Sequence, residues 1–113
     1  MNSDVPIIQK VYDFYREFYL LIPQMPKQDR HTSGEKIQNT CLEFIQSLIY
    51  ASRTDKKNKF VLLEKAAMQL DLLKLLLRLA EDTKSIPTKR YSDLSQKLQE
   101  IGKMLGGWIR SLN

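Results

Sequence analysis

One cysteine, one histidine, one tryptophan, four glycines and four prolines are spread over 113 residues. A single thiol, Cys41, cannot close an internal disulfide, which fits a reducing cytoplasmic setting. A single imidazole, His31, can neither assemble a metal site without nearby thiols or carboxylates nor stand in a nucleophile–base pair by itself. Glu43, Glu64 and Glu100 lack the Glu-x-x-His spacing of di-iron helical bundles. Gly102, Gly106 and Gly107 follow no strand and open no helix, so there is no glycine-rich phosphate loop. No apolar run approaches the roughly 20 residues a bilayer requires. The opening Met1-Asn2-Ser3-Asp4 has no basic stretch leading into an apolar one, so no secretory signal is read. Alternating strand patterns are missing too. Together these absences argue against catalysis, a metal or cofactor, a small-molecule substrate and a membrane span.

What remains is helical periodicity in one domain, residues 1–113, with helices expected at about 5–22, 33–53, 56–84 and 88–111. The first places Ile8, Val11, Tyr15, Phe18 and Ile22 on one face, with Tyr12 and Tyr19 at its edges, and Pro23 and Pro26 end it. Thr32-Ser33-Gly34-Glu35 matches a capping box for the second, although Pro26 could open it a turn earlier. Its face reads Ile37, Cys41, Phe44, Ile45 and Leu48. Pro87 suits the start of the fourth, where Tyr91, Leu94, Leu98, Ile101, Leu105, Trp108 and Leu112 alternate by three and four. Four such helices joined by short loops predict an all-α, up-down-up-down antiparallel four-helix bundle.

The third helix has one apolar face too many. Leu63, Ala66, Leu70, Leu73, Leu77 and Ala80 suffice for a core stripe. Val61, Met68, Leu72, Leu75 and Leu79 form a second stripe roughly 150° away. A helix in a bundle of four has one inward face, so the second stripe predicts a protomer interface, unless loops or a displaced first helix cover it. In the fourth helix the adjacent Gly106 and Gly107 cost about 1 kcal/mol each relative to alanine, which suggests a neighbour packed too close for a Cβ. Gly102 and Gly106 share a strip, and Ile109 is read as lying opposite Leu94, Leu98 and Leu105. The expected interface set is therefore Leu72, Leu75, Leu79, Gly102, Gly106, Trp108 and Ile109.

Eighteen Lys and Arg against thirteen Asp and Glu leave a net charge of +5. The densest positive cluster is Arg53, Lys56, Lys57 and Lys59, with Asp55 the one acid inside it. Lys10 and Arg110 could join it at the same end of a bundle. Lys74 and Arg78 sit one turn apart on the third helix, where like charges are unfavourable unless acids or an anion intervene. These six residues, Arg53, Lys56, Lys57, Lys59, Lys74 and Arg78, are the candidates for nucleic acid. Contact would be to phosphates, since no base-reading motif is present.

Three segments, Asp29-Arg30-His31-Thr32-Ser33-Gly34-Glu35-Lys36-Ile37-Gln38-Asn39-Thr40, Leu70-Asp71-Leu72-Leu73-Lys74-Leu75-Leu76-Leu77-Arg78-Leu79-Ala80 and Gly102-Lys103-Met104-Leu105-Gly106-Gly107-Trp108-Ile109-Arg110, occur in an order and spacing that resembles a bacterial four-helix-bundle family. That family contains the accessory variability determinant protein (Avd) of diversity-generating retroelements. The resemblance runs from about Ile7 to Ser111. It implies a pentameric barrel, which needs two different patches per protomer. It also implies a non-enzymatic accessory role: binding a reverse transcriptase and template RNA, with DNA as a further phosphate partner, in support of mutagenic cDNA synthesis. A related branch is encoded by intervening sequences in large-subunit ribosomal RNA genes. It implies the alternative, an orphan protein–protein interaction module without RNA binding.

Overall fold

The computed structural model describes residues 6–113, so Val5, the first residue of the first expected helix, and the four residues before it lie outside the described residues. Helix α1 covers Pro6–Leu21; a 3-10 turn, Ile22–Gln24, and the short α2, Lys27–Arg30, lead to α3, Ser33–Arg53; α4 covers Lys56–Asp82 and α5 Thr88–Arg110. Among the described residues there is no strand, and the four long helices form a bundle measuring 43 × 23 × 22 Å. Each packs on two neighbours in a closed circuit, α1 on α3, α3 on α4, α4 on α5 and α5 back on α1.

The core follows the 3.6-residue repeat of each helix. On α4 the six residues Leu63, Ala66, Leu70, Leu73, Leu77 and Ala80 are all buried. Opposite them lie Ile37, Cys41, Phe44 and Leu48 of α3 and Leu94, Leu98, Ile101 and Leu105 of α5. Small residues on α3, Thr40, Ser47 and Ala51, are buried as well, and Ser47 donates a 2.8 Å hydrogen bond to Gln69 Oε1 across the α3–α4 seam. On α1 the buried set is Ile7, Val11, Phe14, Phe18 and Leu21, while Ile8 and Tyr15, and Ile22 in the turn that follows, are only half-buried. The inward face is thus turned by roughly 60° from the expected stripe. Phe14 decides it: a ring that fills the centre of the bundle buries more apolar area than the amphipathic Tyr15 can.

The capping box does not form. Thr32 makes no side-chain cap; its hydroxyl donates back to the Gln28 carbonyl at 3.1 Å, and Pro26 opens α2 instead. Arg30 staples this connection by donating to the carbonyls of Met25, at 3.0 Å, and Pro23, at 2.7 Å. A side-chain clasp then joins it to the α4–α5 loop, because the buried Ser85 donates to Asp29 Oδ2 at 2.7 Å. A hydrogen bond to a charged acceptor contributes about 1.5–3 kcal/mol when it is largely out of water. Asp29→Ala is therefore expected to lower the melting temperature by about 5–10 °C, read by circular dichroism. An unchanged melting curve would mean the clasp is dispensable.

Candidate nucleic-acid interface

Asp55 sets the geometry of the positive cluster. Its carboxylate accepts from the backbone N–H of Asn58 at 2.9 Å and so caps α4 after a connection of only two residues, Thr54 and Asp55. Lys56, Lys57 and Lys59 consequently fall in the opening of a 27-residue helix, and Arg53 ends α3 beside them. Helix N-termini favour anions, because the unpaired N–H groups and the summed peptide dipoles leave partial positive charge there. Three lysines at such a place are unfavourable by a few tenths to about 1 kcal/mol each. No acid relieves them: among the described residues Arg53, Lys56, Lys57 and Lys59 make no ion pair, and Asp55 is already engaged as the cap. A bound anion would be held by the cations and the helix terminus together.

The other candidates stand apart. Lys74 and Arg78 lie eighteen and twenty-two residues along α4 from Lys56, about 27 and 33 Å away at 1.5 Å per residue. They line a groove of about 330 Å³ between α4 and α5 with Asp71, Tyr91, Ser95 and Gln99. Asp82 approaches Arg78 at 4.0 Å and Asp71 shares the groove, so its charges balance. Other cations are also taken: Lys10 pairs with Glu100 at 3.0 Å and Lys97 with Glu17 at 3.6 Å. The six residues thus form two patches, of which only the α3–α4 junction has a local excess.

The expected assembly residues also divide. Leu72, Leu75 and Leu79 are exposed together with Val61 and Met68, at 41 to 73% of their surface, and no loop or helix among the described residues covers them. Trp108 and Ile109 are instead half-buried against the protomer's own core. The eleven residues from Leu98 to Ile109 complete about three turns, which returns Ile109 to the core side and not opposite it. At Gly102 a Cβ would meet Leu70 Cδ2 and Lys74 Nζ at 3.5 Å, an ordinary contact within the α4–α5 seam. At Gly106 and Gly107 it would meet only the mobile end of Arg110, at 3.3 and 4.0 Å, so nothing in the protomer demands glycine there.

Burial pushes the Cys41 thiol up to about 12, leaving it protonated and inert at neutral pH. Among the described residues no three His, Cys, Asp or Glu side chains gather as a metal site. No helix of the described residues is long and apolar enough to cross a membrane.

The bAvd-like family model matches residues 5–112. The chain belongs to the bAvd-like family. Its fold is similar to that of a crystal structure of a protein with unknown function from the S23 ribosomal protein family of Bacteroides thetaiotaomicron VPI-5482. The TM-score is 0.85 at 16% identity, covering 96% of this chain and 99% of that one. No curated protein matches this bAvd-like chain. The match spans both basic patches and the exposed α4 stripe.

Sequence reasoning missed several exposed apolar side chains, notably Leu20, Leu42 and Tyr50 outside α4 and Phe60 in its first turns. Tyr50 carried a usable signal, since it precedes Arg53 by one helical turn and so shares its face.

Proposed function

We propose that this bAvd-like protein is a non-catalytic, cytoplasmic accessory protein that assembles as a homopentameric ring of up-down-up-down bundles. In this reading it binds a reverse transcriptase and the template RNA of a diversity-generating retroelement, and chemistry belongs to the polymerase. The observation that carries the nucleic-acid part is the set of four cations at the α3–α4 junction that are unpaired among the described residues, three of them at a helix N-terminus capped by Asp55. Antiparallel packing of α1 and α5 is supported by the two ion pairs, in which rising α1 numbers, Lys10 and Glu17, meet falling α5 numbers, Glu100 and Lys97. In that topology the α3–α4 junction lies at one end of the bundle with both termini, so a ring would repeat the cationic patch around one rim. Repetition raises avidity without any new contact.

Salt dependence tests the proposal. Phosphate contacts release counterions, so log K for RNA should fall linearly with log salt, by about 0.7 for each phosphate neutralised on a single strand. Affinity that does not respond to salt, or no affinity at low salt, contradicts it. The exposed apolar stripe on α4 requires no nucleic acid, and it favours a second reading: the protein–protein module of the intervening-sequence branch, with the ring but no RNA binding. A reverse transcriptase gene and a template repeat beside this gene separate the two.

A further inference from the structure

Beside the lysines, where α3 gives way to α4, Tyr50, Arg53, Thr54, Asn58, Val61 and Leu62 line an open recess of about 490 Å³. Its chemistry exceeds what phosphate binding needs. Tyr50 leaves 56% of its surface in water, and Val61 leaves 64%. Tyr15 and Tyr19 form the one aromatic pair among the described residues, so the Tyr50 ring has no stacking partner. Hydrogen-bonding groups are spare as well. Asn58 donates through its backbone N–H and Nδ2 to Asp55, which leaves its side-chain carbonyl free to accept. The Thr54 hydroxyl makes no side-chain hydrogen bond among the described residues.

We propose that this recess seats an unpaired nucleobase of a single-stranded nucleic acid, stacked on Tyr50, while Arg53, Lys56 and Lys57 hold the flanking phosphates. The inference rests on the nucleic-acid reading above and deepens it from a charged rim to a strand-selective site. Every base has an apolar face, so stacking on an aromatic ring is sequence-tolerant. A base edge meets the Asn58 carbonyl and the Thr54 hydroxyl, and the apolar walls of Val61 and Leu62 lose water on contact. A duplex keeps its base faces inside the stack, so it offers this recess only phosphates.

Fluorescence anisotropy with a short labelled single-stranded RNA and a blunt RNA duplex tests this on the full chain, using wild type, Tyr50→Phe and Tyr50→Leu. Circular dichroism and native mass confirm that each variant is intact. Wild type should bind the single strand more tightly than the duplex. Stacking strength predicts that Tyr50→Leu weakens the single strand about ten-fold, with the duplex unmoved and Tyr50→Phe close to wild type. Equal binding of both RNAs, or a single-strand affinity indifferent to Tyr50→Leu, overturns the recess as a base site and leaves phosphate contact standing. If wild type binds neither RNA at low salt, the nucleic-acid reading fails and the recess fails with it.

Discussion

The double variant Leu72→Lys, Leu75→Lys is expected to keep its helical circular dichroism and run as a 13.3 kDa monomer, where the unaltered chain is expected to run as an oligomer. The core cannot object to the change, because both side chains point away from it: the buried α4 stripe is Leu63, Ala66, Leu70, Leu73, Leu77 and Ala80. What changes is the outer stripe, whose five large apolar residues expose between 41 and 73% of their surface. Burying the exposed half of Met68, Leu72, Leu75 and Leu79 contributes about 1 kcal/mol each, hence about 4 kcal/mol on each protomer, while Val61, near the start of α4, stays at the recess beside Tyr50. Two ammonium groups placed mid-stripe must be stripped of water to enter a contact, which costs several kcal/mol when no partner charge is provided. A native mass equal to wild type, with the fold intact, would remove this stripe from the interface.

Lys56→Glu with Lys57→Glu should act in opposite directions on binding and on stability. At the first turn of α4 two carboxylates complement the helix terminus that two ammonium groups oppose, so the variant should be more stable by at least about 1 kcal/mol in total. RNA affinity should nevertheless fall by at least about ten-fold, with a shallower salt slope, because two phosphate contacts per protomer are lost and repulsion replaces them. A variant that binds worse because it folds worse cannot show this pattern. The same reversals at Lys74 and Arg78 should matter less, since Asp71 and Asp82 already balance that groove. Equal losses at the two places would mean that nucleic acid runs along α4 and is not confined to the junction.

Helical periodicity carried much of this architecture. Both α4 stripes could be read from residue spacing alone, because a 27-residue helix samples every face several times and small errors in angle average out. On α1 the same arithmetic chose Ile8, Tyr15 and Ile22 over Ile7, Phe14 and Leu21, since both sets keep helical spacing and only tertiary packing ranks them. Ile109 was misplaced by a turn count, not by chemistry. The α5 glycines suggested close packing that the protomer does not supply, because a helical glycine records the absence of a Cβ without naming the neighbour. The basic cluster was legible as composition. The Asp55 cap that opens α4 beside three of its lysines is a side-chain hydrogen bond, which residue spacing does not show. The Asp29–Ser85 clasp joins positions 56 residues apart, a separation invisible to any local pattern.

In the proposed ring the outer face of α4, from Met68 to Leu79, is covered by another copy of the chain. Light scattering on a sizing column, at low and high salt, measures the absolute mass of the unaltered protein and tests this most directly. An apolar interface is not screened by salt, so a mass near five times 13.3 kDa is expected at both concentrations. A stable 13.3 kDa monomer at both would contradict it.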